Sequence, residues 1–192
     1  MIVMKRLTLG CLFIVLTLSG MKAFCQRSGS EEFKQSFLEH INRVRATGCS
    51  CGTTYMPPVP PLTWNNTLQR AAEGHAWDMS NNNYFSHTSR DGRTMEQRIV
   101  AAGYKFNGFK SFAVGENIAE GQMDIDQVMD GWLKSPGHCK NLMSPMFKEV
   151  GVARNHNYWV QDFGARESFT PQQQRMIKSG RMHVVQMPAT SE

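Results

Sequence analysis

The sequence predicts an α+β domain, and three observations carry that expectation. Apolar residues recur at helical spacing in three separate stretches, through Phe33, Phe37, Ile41 and Val44, through Leu68 to Met79, and through Ile125 to Trp132. Two apolar runs, Glu149 to Arg154 and Tyr158 to Phe163, flank Asn155-His156-Asn157, which reads as a β-hairpin with an exposed turn. A length of 192 residues with 41% hydrophobic and 19% charged content suits one globular domain with short extensions, and no repeat or second domain is visible.

Residues 1 to 25 read as a secretory leader. Lys5 and Arg6 form the charged start, and Leu7 to Leu18 form an apolar stretch too short for a membrane span. Cleavage after Ala23, or after Cys25 with Ala23 at minus three, meets the small-residue requirement. Phe24 stands where a lipoprotein signal needs a small residue, so anchoring through Cys25 ranks second. The expected location is therefore secreted or periplasmic, with no transmembrane segment in the mature form. Residues 26 to 165 are the expected domain.

The first helix should run from Glu31 to Ala46, with Ser28 and Glu31 at capping-box spacing and His40 solvated. Thr47 to Leu62 reads as a loop, since Gly48, Gly52 and the four prolines 57, 58, 60 and 61 force extended geometry. Asn65 or Asn66 caps a second helix whose apolar face is Leu68, Ala71, Ala72, His75, Ala76 and Met79. His75 on that face is expected as a core histidine with one satisfied nitrogen. Asn81 to Asn83 break the helix, and the aromatic loop from Tyr84 to Gly92 carries His87, which no periodicity buries.

Thr94 caps a short helix through Met95, Ile99 and Ala102 that Gly103 stops, and Tyr104 to Ser111 follow as a loop or edge. Within Phe112 to Ala119, Glu116 has apolar residues on both sides. A partly buried carboxylate there needs backbone donors, an arginine or a metal. Asp124 caps the helix of Ile125, Val128, Met129 and Trp132, and Pro136-Gly137 ends it, so His138 is expected on a loop. From Arg166 onward, Pro171, Gln172 to Gln174 and mixed charges give no sustained period. Residues 166 to 192 are expected as a polar, partly disordered tail.

Cys11 leaves with the leader, so Cys49, Cys51 and Cys139 remain in an oxidising compartment, joined by Cys25 if cleavage spares it. Cys49-Ser50-Cys51 is too closely spaced for a relaxed mutual bridge, so one of the pair is expected to bond Cys139 as a structural staple. Cys139 also sits beside His138, but neighbours in sequence rarely form a nucleophilic dyad, and an oxidising compartment favours the bridge.

Charge excludes one class of partner. The leader carries Lys5, Arg6 and Lys22 and no acids, so its removal takes the net charge from +5 to +2, and no basic run remains as a footprint for nucleic acid. A Gly-rich phosphate loop, a G-x-S-x-G elbow and a paired C-x-x-C are absent. His87, Glu116 and His138 stand outside the helical stripes, separated by 29 and then 22 residues. Two imidazoles and a carboxylate suit a zinc ion with one position open. The same three residues suit a hydrogen-bonded polar cluster or an acid/base pair.

Four motifs in order, Tyr84-Phe85-Ser86-His87, Gly115-Glu116-Asn117-Ile118-Ala119, Trp132 to His138, and Glu149-Val150-Gly151-Val152, closely resemble the CAP superfamily, also called the SCP domain. That family includes cysteine-rich secretory proteins, venom allergens, plant pathogenesis-related proteins and bacterial exported proteins, and the resemblance covers roughly Phe33 to Gly164. It implies a three-layer α-β-α sandwich with a central antiparallel sheet and a cleft lined by two histidines and two acids. By that resemblance His87 is the first histidine, Glu116 the acid of the G-E-N motif and His138 the histidine of the G-H signature. The second acid, expected three residues after Trp132, is replaced by Ser135, as in a bacterial-like variant. Glu149 and Asp91 are the candidates to stand in.

Family members have been linked to metal binding, lipid or sterol binding and claims of proteolysis, with no shared activity. The expectation is an exported protein whose His87/Glu116/His138 cleft holds a divalent metal, zinc foremost, and meets an extracellular ligand, be it lipid, peptide or protein. One alternative is a metal-dependent hydrolase of peptide or envelope material, with the same three residues as catalytic candidates. Another is a lipid- or protein-binding module without catalysis, using Tyr104, Phe106 and Phe109.

Overall fold

A computed structural model of the chain describes residues 15–105 and 107–183, with side-chain environments from residue 31. The first 14 residues of the expected leader, Phe106 and the last nine residues of the expected tail lie outside the described residues. The chain divides into two compact units, residues 1–36 and 37–192, and the site lies in the second. Among the described residues no helix is long and apolar enough to cross a membrane.

Helix α1 (Val15–Thr47) delivers Phe37 and Ile41 to the core, as their spacing requires. It also buries Arg45, which the apolar stripe gave no reason to expect. The guanidinium donates to the carbonyls of Pro60, Leu142, Ser144 and Phe147, and burial brings its pKa down to about 10. His40, expected to be solvated, pairs with Asp126 at 2.7 Å.

The stretch from Thr47 to Leu62 is not wholly loop. Strands β1 (Cys49–Cys51) and β2 (Thr54–Met56) form an antiparallel hairpin, with Gly52 at φ +63° in its turn. Strands of three residues are too short to show a period, and that hid them in the sequence. Strand β3 (Thr63–Trp64) follows the prolines. Asn65 then caps α2 (Asn66–Asn82) by accepting from the Thr67 and Leu68 amides, and Asn83 ends it at φ +48°.

Thr94 and Gln97 form a capping box on α3 (Met95–Ala101). Strand β4 (Phe109–Glu120) leads to α4 (Ile125–Lys134), capped by Asp124, with Val128, Met129 and Trp132 buried. Helix α5 (Pro136–Leu142) starts one residue later. Pro136 does end α4, because Ser135 before it is extended, but the ring's fixed φ then suits the first position of a new helix. His138 therefore stands in a helix rather than on a loop.

Strands β5 (Glu149–Asn155) and β6 (Tyr158–Ser168) make the expected hairpin, tightened to a His156-Asn157 turn with Asn155 and Tyr158 paired. The expected boundary at 165/166 falls inside β6, because β4 keeps pairing with it as far as Ser168. Beyond it, Thr170 caps α6 (Pro171–Lys178), an ordered helix with no buried residue, where the sequence lacked any sustained period.

The sheet order is β3-β5-β6-β4, antiparallel except for the two-residue parallel pair of β3 with β5. Register places Glu116, Asp162 and Gly151 in one cross-strand row, facing α2. On that face Ala72, Ala76 and Met79 pack on Ile118, Ala153 and Val160. On the opposite face Phe37 meets Trp132 and Trp159, at ring separations of 6.2 and 6.1 Å. The result is the three-layer sandwich, with β4 as an edge strand.

Candidate functional site

Glu116 sits near the middle of β4 and points toward α2 and α3, where its side chain is only 1% exposed. Both of its oxygens are engaged. Oε2 accepts from Arg98 of α3 at 2.6 Å, and Oε1 accepts from His87 Nδ1 at 2.8 Å. A carboxylate accepts only, so the His87 proton lies on Nδ1 and its Nε2 is left as the lone-pair nitrogen. The His87 ring itself is 55% exposed.

The loop carrying His87 is held from below by two buried groups. Arg98 Nη1 donates to the carbonyls of His87 and Arg93 and to Ser89 Oγ. His75 on α2 donates through Nε2 to the Ser86 carbonyl at 2.9 Å, while its Nδ1 is buried without a partner. His75 is thus the core histidine with one satisfied nitrogen, and burial holds its pKa below the usual value. Arg98 was not singled out in the sequence, although a buried Glu116 required a cation or donors of this kind.

Asp162 is the second acid at Glu116, supplied by β6 directly across the ladder and 1% exposed. Burial raises its carboxyl well above the ordinary range, and the neighbouring Glu116 charge adds to this. Both effects favour the protonated form of Asp162, which could donate to Glu116. Nothing in Val160-Gln161-Asp162-Phe163 marked this residue, because its partner is fixed only by strand register.

His138 belongs to α5, which packs against β4. Asn117, the next residue after Glu116, donates to the His138 carbonyl at 3.2 Å and to Gln161 Oε1. Asn141, three residues beyond His138, donates to Asn117 Oδ1 and to the Glu116 carbonyl, a backbone acceptor of the edge strand. Burial depresses the His138 pKa, and the charge of His87 depresses it further. The stand-in acids are elsewhere: Glu149 bonds Asn65, Tyr104 and Arg166, and Asp91 bonds Arg93. Of the aromatic residues expected at a ligand contact, Tyr104 is fully buried and Phe109 lies under Arg166.

Cys139 of α5 is bridged to Cys51 of β1, which fastens the β1–β2 hairpin to the helix bearing His138. Cys49 keeps a free thiol. Among the described residues, the one group of three potential ligand atoms within 4.8 Å of one another is Cys49, Cys51 and Cys139, and two of these sulfurs are bonded to each other.

A family model described as the cysteine-rich secretory protein family, CAP, matches residues 38–163. The uncharacterized membrane protein YlbC of Bacillus subtilis is 34% identical over 102 residues, 53% of this chain and 28% of that protein. Among solved structures, an extracellular protein containing a SCP domain from Bacillus anthracis matches at a TM-score of 0.58 and 32% identity, covering 69% of this chain and 40% of that one. An outer surface protein of Borrelia burgdorferi has the same fold, at a TM-score of 0.58 and 24% identity over 72% of this chain and 96% of its own. The chain thus spans well under half the length of the first two.

Proposed function

The chain belongs to the cysteine-rich secretory protein (CAP) family, and from that premise we propose that it is an extracellular binding protein whose cleft takes up zinc between His87 and His138. The observation that carries this reading is the bond from His87 Nδ1 to Glu116 Oε1 at 2.8 Å. A carboxylate behind an imidazole fixes the tautomer and aims the other nitrogen outward, the usual support for a metal-ligating histidine. His138, held toward its neutral form, offers a second imidazole.

The donor set assigned to zinc in this reading carries one change from the expected assignment. Arg98 occupies Oε2 of Glu116 at 2.6 Å, and a dication bound to the same carboxylate would have to displace that cation. Glu116 therefore serves as the residue that orients His87, and the two histidines serve as ligands. When bound, zinc would act as a Lewis acid toward an extracellular ligand at its remaining positions. The chain's own part is to hold His87 Nδ1–H on Glu116, to hold the loop through Arg98 and His75, and to place His138 from α5. Binding is favoured over hydrolysis, since the acid suited to be a base has both oxygens bonded.

Calorimetry tests the proposal. Zinc uptake is expected for the full chain, lost in the His87→Ala/His138→Ala double variant, and weakened below about pH 6 as protons compete for the imidazoles. Equal uptake by both proteins would remove the cleft as the metal site.

A further inference from the structure

The residues the cleft does not use include three sulfurs. Cys49 Sγ lies 3.7 Å from Cys139 Sγ, the same atom that bonds Cys51. This follows from the C-x-C spacing on a strand: residues two apart project from the same face, so β1 presents two sulfurs to one helix. The burial pattern agrees, with Cys49 half-buried, Ser50 exposed and Cys51 buried. Around the cluster lie Val44, Met56, Val59, Leu133 and Met143, which pack an apolar shell against the bridge.

We propose that Cys49, Cys51 and Cys139 form an internal thiol–disulfide exchange site, in which Cys139 passes between the two cysteines of β1. The Cys49 thiol gives its proton to solvent, and its electron pair forms a bond to Cys139 Sγ. The Cys51–Cys139 bond breaks, with its pair going to Cys51, which takes up a proton. One disulfide and one thiol exist before and after, so no oxidant or reductant is consumed. Exchange moves the attachment point of β1 on α5 by two residues, next to His138. The hairpin thus has two covalent registers against the helix that carries the cleft.

The test is a thiol map of the full chain, purified without reductant, quenched rapidly in acid, alkylated and analysed by peptide. The expected result is alkylation on both Cys49 and Cys51 and none on Cys139, with proportions independent of protein concentration. In Cys49→Ser the alkylation at Cys51 should disappear, because the Cys51–Cys139 bridge is then locked. In Cys51→Ser, Cys139 should bridge to Cys49, and if that variant does not fold, the first two maps decide. Alkylation confined to Cys49 in the unaltered protein, or undiminished at Cys51 in Cys49→Ser, would overturn the proposal.

Discussion

Glu116 is bonded to a cation on one oxygen and to an imidazole on the other, and each bond has a different consequence. The Arg98 pair is buried on both sides, so removing one charge leaves the other without compensation. Glu116→Gln is expected to cost about 3 kcal/mol in urea unfolding. It should also weaken zinc binding by roughly 10- to 100-fold, because the His87 tautomer loses its support. Asp162 points the opposite way. Its folded pKa is raised, so its contribution to stability is full below the ordinary carboxyl pKa and is lost as pH rises through the folded value. Asp162→Asn keeps the shape and a donor toward Glu116 while removing that titration. Thermal melting should show the variant at least as stable as the parent at neutral pH, and a large drop in Tm would mean that Asp162 is ionised. The His87–Glu116 pair was legible because each residue lies in a short motif, whereas Arg98 and Asp162 were not, because only a helix docking and a strand register bring them to Glu116.

Among the helices and strands, close approach matters more than propensity. A Cβ on Gly151 of β5 would stand 2.0 Å from the Gln69 amide nitrogen of α2 and 2.5 Å from the Leu68 carbonyl carbon. Both are backbone atoms that cannot turn aside, so Gly151→Ala is expected to cost about 3 kcal/mol in denaturant unfolding. A tolerated Gly151→Ala would mean that α2 sits farther from the sheet. The capped helices and the β5–β6 hairpin were legible because their signals are local: Asn65, Thr94 and Asp124 each bond the amides their positions predict. The β1–β2 hairpin and the far half of β6 were not, because the first is too short for a period and the second exists through its pairing with β4.

Across the domain, two histidines link stability to pH. His75 and His138 both have folded pKa values below the ordinary one, the main cause in each case being burial. The unfolded chain therefore binds more protons as pH falls through about 6.5, and the stability these groups provide above that value is progressively lost below it. Urea midpoints between about pH 7.5 and about pH 5.5 should fall, and less so in His75→Gln, provided that variant folds. The α+β class was legible in the helical and strand periods, while the three-layer order was implied only by the resemblance of four short motifs to the CAP superfamily. The packing of α5, which carries His138, against β4 was not, because it depends on tertiary contacts that leave no local signal. Whether His87 and His138 meet as paired nitrogen ligands while Glu116 keeps the Nδ1 proton is best decided by nitrogen NMR of the imidazole rings during a zinc titration. Large shifts are expected at His87 Nε2 and at one His138 ring nitrogen, with the His87 Nδ1 proton retained and the His75 resonances unmoved. Zinc that leaves the His87 and His138 rings unshifted would refute the paired-histidine site.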